Sequence, residues 1–401
     1  MRFVKAATMA ILGIAICGIA SAGDVDTGSE RPTFYKDVLP ILQENCQACH
    51  RPNGANLGGM VAPMAFTTYE ETRPWAKAIA RKTAAKEMPP WHAAPEQHGV
   101  FRNERALAED EIEVFLKWSQ TGSAKGDTAD APDLITWPSG EGWTIGEPDL
   151  IIDMPERHFV SGDVVDEYQY FSHTLTDEQL PADRWITAVE FRAGSSAVHH
   201  IILDPLGGIA PGTDALVYPD GMGVKMNKGT KLTWQMHYHK EPGPGTGVWD
   251  QSSVAVKFYP KDVEVKHPVQ GSYLGHLAFR IPAGDPNYSV QANHTFKTAA
   301  KIVAFSPHMH LRGKSAKYEV TYPDGRQEVL LEVPNYDFNW QTTYWYDETK
   351  YMPKGTKLTF TTTWDNSSEN PNNPDPEKEV TYGEPTTDEM SFGFMDYIAA
   401  E

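Results

Sequence analysis

With 401 residues the chain is long enough for two or three domains. Its formal charge of −19 makes it ill suited to gripping nucleic-acid phosphates or an anionic membrane surface. Three cysteines leave no room for a disulfide framework once their positions are considered, so the fold must rest on its core and its metals.

The first 22 residues read as an export signal. Arg2 and Lys5 make a basic start, Ala6 to Ala20 form an uncharged apolar run, and Ala20-Ser21-Ala22 offers small residues for cleavage. The run falls short of the roughly 20 apolar residues that cross a bilayer. Cys17 leaves with the signal, so the mature chain keeps only Cys46 and Cys49. A soluble protein of the periplasm or the secreted space is expected, without membrane insertion.

Residues 23–128 read as an all-α cytochrome c domain. Phe34, Val38, Ile41 and Leu42 recur at helical spacing, and a second helix fits Glu109 to Ser119, with Ile112, Phe115 and Leu116 on one face. After the first of these comes Cys46-Gln47-Ala48-Cys49-His50. Two thiols that add to the porphyrin vinyl groups, followed by a histidine for the iron, are what covalent haem c attachment requires. Half of a zinc site would need a second cysteine pair, which the mature chain lacks. The sixth ligand stays open: Met88, heading Met88-Pro89-Pro90-Trp91, resembles the distal loop of small cytochromes c, and Met60, Met64, His92 and His98 compete with it. Residues 129–145, rich in small, acidic and proline residues, read as a linker.

From about residue 146 the pattern changes to short alternating strands. Val254, Val256 and Phe258 share one face of a strand, as do Leu358, Phe360 and Trp364 of another. Many such strands predict antiparallel sandwiches, divided near Arg280 to Pro286. Three histidine sets lie on them. His199 and His200 are adjacent, so both reach one ion only where the strand bulges. Gln235, His237 and His239 share a face, and His308 and His310 form an i, i+2 chelating pair. Imidazoles without carboxylate companions suit copper, zinc, iron or nickel, and an added thioether favours copper.

On the residues Ala197 to Ile201, Gln235 to Tyr238, His308 to Gly313 and Asp388-Glu389-Met390, the chain from about 145 onward resembles the copper type II, ascorbate-dependent monooxygenases, the family of peptidylglycine α-hydroxylating and dopamine β-monooxygenase. The resemblance implies a multidomain fold: the all-α cytochrome c domain, then two all-β antiparallel, jelly-roll-like copper domains at 146–278 and 279–401. His199, His200 and His237 would hold an electron-transfer copper. His308, His310 and Met390 would hold the copper at which oxygen is activated and hydroxylation catalysed, with a solvent cleft between the two centres. Gln235 matches a glutamine that would steer a ligand ring, and His239 has no ligand counterpart.

The chain also departs from that family. Ser306 stands where the peptide-hydroxylating member has an arginine for a substrate carboxylate, and Phe392 and Phe394 replace an asparagine and a tyrosine. A small apolar or aromatic substrate is expected in place of a peptidyl-glycine. The implied activity is hydroxylation of a C–H bond with O₂. The haem would serve as electron input, and an external cytochrome or ascorbate-like reductant as donor. A multicentre haem/copper electron carrier, or a copper-binding redox protein without hydroxylase activity, is the alternative.

Overall fold

The N-terminal segment turns helical where its apolar residues recur at helical spacing. In the computed structural model, which describes residues 31–52, 54, 57, 60–137 and 143–400, Phe34 and Val38 are buried on the π-helical turn Phe34–Val38. Leu39, Ile41 and Leu42 are buried on helix α1, Leu39–Asn45, which ends at Cys46, so the Cys-x-x-Cys-His segment continues directly from it. Helix α2, Tyr69–Thr72, starts on a reciprocal cap between Thr68 and Glu71. Helix α3, Ala76–Ala84, turns Ala76, Ile79, Ala80 and Thr83 inward. Helix α4, Glu109–Gln120, opens on three acidic residues that suit the positive end of its dipole, and Glu111 accepts the Ala108 N–H at 2.8 Å. Its Ile112, Phe115 and Trp118 close over Phe34, Val38 and Leu42. The export signal expected over the first 22 residues lies outside the described residues.

The strands form four main sheets. One runs in the order Leu150–Asp153, Ser253–Phe258, Arg184–Arg192, Met222–Met226, His267–Pro268, and a second in the order Asp166–Thr174, Lys231–His239, Val198–Asp204, Gly207–Ile209. Both feed one core containing Ile186, Leu203, Trp234, Met236, Tyr238, Val254 and Val256. The third sheet runs Gln270–Gly275, Phe392–Ala399, Ala300–His308, Tyr344–Met352, and the fourth Tyr288–Thr295, Lys357–Trp364, Gly313–Thr321, Gln327–Val333. Phe305, Tyr318, Tyr346, Phe360 and Trp364 fill their core. Alternation is strict in Lys357–Trp364, where Leu358, Phe360, Thr362 and Trp364 are buried in turn.

The expected fold class is overturned. Strands make up 38% of the chain while the longest described helix has 12 residues, so the protein is mostly β and has no all-α cytochrome domain. Pro32–Glu401 forms one compact unit. The physical reason lies in residues 91–104. The helical core around Phe34, Phe115 and Trp118 does not take in Trp91 and Phe101; these rings bury instead in the third and fourth sheets' core, with Trp91 against Tyr344 at 5.0 Å and Phe101 against Tyr346 at 5.1 Å. Backbone bonds fix the segment there: Ala94 N–H to Glu332 O at 2.8 Å and Arg102 N–H to Trp345 O at 2.9 Å. The described part of the expected linker also packs, since Gln43 Nε2 donates to Asp133 O at 3.1 Å. Among the described residues no helix is long and apolar enough to cross a membrane.

Candidate metal centre

The strand Val198–Asp204 pairs with Lys231–His239, and its register shifts between Val198 and His200. That bulge is the device by which two adjacent histidines reach one point. His200 then stands opposite His237, and ligand nitrogens of His199, His200 and His237 all lie within 4.8 Å of one another. His200 Nδ1 and His237 Nδ1 are 3.2 Å apart. Two nitrogens on one tetrahedral ion with bonds near 2.0 Å sit about 3.3 Å apart. Both nitrogens of His199 and Nε2 of His200 are buried with no hydrogen-bond partner. Unpaired buried nitrogens cost about 1–3 kcal/mol each, and an ion would satisfy them. The donor set therefore fits a metal.

Two of the three rings are held from behind. Asp166 accepts a bond from His237 Nε2–H, while Tyr168 stacks on the same imidazole at 4.2 Å and 8°. Burial pushes the Asp166 carboxyl up, but His237 and Thr386 outweigh it and bring it down to about 2. His199 stacks on Phe338 at 4.3 Å.

The second set follows from strand alternation. His308 ends the strand Ala300–His308 and His310 follows two residues later, while Met309 between them points into the core. The two imidazoles lie 5.2 Å apart at 88°. His308 Nδ1 meets Gln341 Oε1 at 2.6 Å and His310 Nδ1 meets Asp388 O at 3.2 Å. His310 Nε2 is buried without a partner. Glu389, fully buried, accepts from His310 N–H, Arg312 N–H and Trp364 Nε1–H, at 2.9, 2.7 and 2.9 Å. Asp388 and Glu389 both bond His310, and half-buried Met390 follows them in the chain, with no described contact that brings its side chain to an imidazole.

Burial favours the neutral form of His199, His200, His308 and His310, with lone pairs available to a metal. His199 and His200 are pushed well below the ordinary value by desolvation and then by neighbouring histidines. Burial brings His308 down to about 4, and burial with His308 brings His310 down to about 3. Burial raises Glu389 to about 7.

The two sets are not separated by a solvent cleft, as the family resemblance implies. His200 and His308 rings approach to 6.2 Å, and Phe338 lies between His199 and His310. Five histidines form one continuous cluster. Gln235 does not steer a triad ring; its Nε2 donates to Tyr170 Oη at 2.8 Å. His239 sits at the rim, 5.9 Å from His199.

The Cys46–His50 motif lies apart from the cluster. Both thiols are free, and burial raises that of Cys46 to about 12. His50 Nδ1 meets Met64 O at 3.2 Å, which leaves Nε2 for an iron. Cys46, Cys49 and His50 are the residues that would hold a covalent haem. No described contact brings Met88 to His50: Met88 is 36% exposed after α3. Among the competing candidates, Met64 offers His50 its carbonyl, and His98 pairs with Glu104. The motif communicates with the cluster through one loop. Gly212 N–H donates to Leu57 O at 3.0 Å, and Arg105, which acts on the Cys49 thiol, pairs with Asp214. Thr213 Oγ1 between them donates to Gln341 O at 3.0 Å, and Gln341 holds His308.

Asp166, Gln341, Phe338 and Tyr168 escape sequence reasoning because none belongs to a motif. Glu389 could have been found, since it stands beside Met390 in a run that carries the resemblance.

No protein-family model matches the chain, and no curated protein does. Among solved structures, the chain is 8% identical to A223, a turret protein of Sulfolobus turreted icosahedral virus, over 63% of this chain and all (100%) of that one, at a TM-score of 0.16. It is 10% identical to VP2 in the infectious bursal disease virus subviral particle, over 63% of this chain and 73% of that one, at a TM-score of 0.21. Likenesses this slight carry no argument.

Proposed function

We propose that this protein is a haem- and copper-dependent monooxygenase that hydroxylates a C–H bond of a small apolar or aromatic molecule with O₂. The observation that carries the reading is the buried five-histidine cluster with unpaired nitrogens on His199, His200 and His310. His199, His200 and His237 would hold one copper; His308 and His310, with Met390, would hold the other. Copper there would supply one-electron redox chemistry and a place for dioxygen. The haem on Cys46, Cys49 and His50 would supply electrons, drawn in turn from an external cytochrome or ascorbate-like reductant. The chain would work after export, in the periplasm or beyond.

The chain's own residues support the substrate class. His308 pairs with Phe392, and Ser306 with Phe394, so these side chains share one sheet face. Tyr273 joins them from the next strand, 5.4 Å from Phe392. Tyr273 is 60% exposed and Phe394 40%, an apolar platform beside the second histidine set. Ser306 is occupied with Thr343 Oγ1 at 2.7 Å.

One observation favours the alternative of a haem/copper electron carrier: His237 and His310 are 0% and 1% exposed, depths that suit a relay needing no substrate. The two readings separate when copper-loaded, reduced protein meets isotopically labelled O₂ and a periplasmic metabolite extract. A labelled one-oxygen mass gain in an organic product supports the monooxygenase; copper and haem oxidation without any such product sinks it.

A further inference from the structure

The carboxylate of Asp166 is asked to satisfy two parts of the molecule at once. Oδ1 accepts from His237 Nε2–H, and Oδ2 accepts both the N–H and the hydroxyl of Thr386, at 2.8 and 2.9 Å. Thr386 lies on the segment that continues through Asp388 and Glu389, the residues that fix His310, to Met390. A second fastening lies alongside: Tyr168 Oη donates to Glu384 O at 2.5 Å, and Tyr170 Oη to Glu384 Oε1 at 3.2 Å. The strand Asp166–Thr174 thus grips a ring of the first histidine set with one oxygen and the chain bracing the second set with the other.

Resting on the copper reading above, we infer that Asp166 is a positioning residue shared by both histidine sets. As an acceptor it places the His237 proton on Nε2 and leaves Nδ1, the nitrogen facing His200, with its lone pair toward an ion. Its second oxygen fastens the segment that carries Asp388 and Glu389, so the residues that fix His310 keep their place. Only a carboxylate serves both partners. Three donors converge on two oxygens, and an asparagine would turn an amide donor toward one of them.

The test uses the full-length protein as wild type, Asp166→Asn and Thr386→Val. Copper affinities are measured by chelator competition, Cu(II) environments by electron paramagnetic resonance, and apo-protein stability by thermal unfolding. Asp166→Asn is expected to weaken one copper class by about 10–100-fold and alter its hyperfine pattern. Thr386→Val leaves that pattern unchanged and weakens the other class by a smaller factor. Wild-type affinity and spectrum in Asp166→Asn overturn the inference, and so does a loss of apo stability alone. A Thr386→Val protein that reproduces the Asp166→Asn spectrum also overturns it, because the effect would then belong to the segment. A wild type that binds no copper overturns the copper reading and this inference together, whereas normal wild-type binding beside an unaffected Asp166→Asn sinks the inference only.

Discussion

The histidine cluster and the Cys46–His50 motif are both donor sets, yet the protein treats them differently. Behind the cluster stand Asp166, Gln341, Glu389, Tyr168 and Phe338, each bonded to or stacked on a ligand residue. Among the described residues, His50 is met by the Met64 carbonyl and by the Phe66 ring, stacked on it at 4.5 Å. The difference follows from how each set would hold its group. Covalent thioethers fix a haem without help, whereas separate imidazoles must be oriented one by one before an ion binds. Rigidity is placed where no covalent bond provides it.

The largest break in that comparison should come from Glu389→Ala. The change strands three buried N–H donors, on His310, Arg312 and Trp364, and leaves the Arg312 guanidinium without its nearby buried charge. A loss on the order of 3–5 kcal/mol is expected, read by urea unfolding of the apo-protein. A loss below about 1 kcal/mol would mean that the brace is dispensable.

Acid should have the next largest effect. His308 and His310 fall in the folded state to about 4 and about 3, and His199 and His200 also lie well below their ordinary value. Between those depressed values and about 6.5 the unfolded chain binds protons that the folded chain refuses, so stability falls as pH drops through this window. Glu389 and Asp396, both raised to about 7 by burial, act in the opposite sense from about pH 7 downward. Four histidines outweigh two carboxyls, so the apo-protein's melting temperature should drop from pH 6.5 to pH 4. Copper at 100 times its dissociation constant should restore about 2.7 kcal/mol near neutrality. A flat apo profile would contradict the burial of the cluster.

The smallest effect sharpens the comparison from the other side. On the haem reading proposed above, Cys46→Ala with Cys49→Ala should abolish covalent haem, read by haem stain after denaturing electrophoresis. It should leave both copper affinities within about twofold and stability within roughly 1 kcal/mol. A large loss of copper would show that the motif braces the cluster after all.

Part of this was legible in the sequence because it depends only on local geometry. The i, i+2 spacing of His308 and His310 predicts a shared face, and adjacent His199 and His200 predict a bulge; both are found. The helical runs around Phe34 and Ile112 were legible for the same reason. The convergence of the sets was not. It depends on contacts between distant segments, Pro211 O with Gln341 N–H and Asp166 with Thr386, which leave no periodic trace. The fold class failed on Trp91 and Phe101: in sequence they read as belonging to a helical domain, and only the edge of the strand Tyr344–Met352 reveals where they bury.

That placement also sets an order of assembly. Asn103 accepts from Trp345 N–H across 242 residues of chain, so Trp91 and Phe101 do not meet Tyr344 and Tyr346 until nearly the whole polypeptide has emerged. Contacts this distant in sequence close late. Cys46 and Cys49 therefore emerge well before the sheets to which residues 91–104 are fastened, which on the haem reading proposed above would give a haem-attaching machinery its interval of access. A fragment ending near residue 128 would keep two large aromatic surfaces exposed and should aggregate where the intact chain does not.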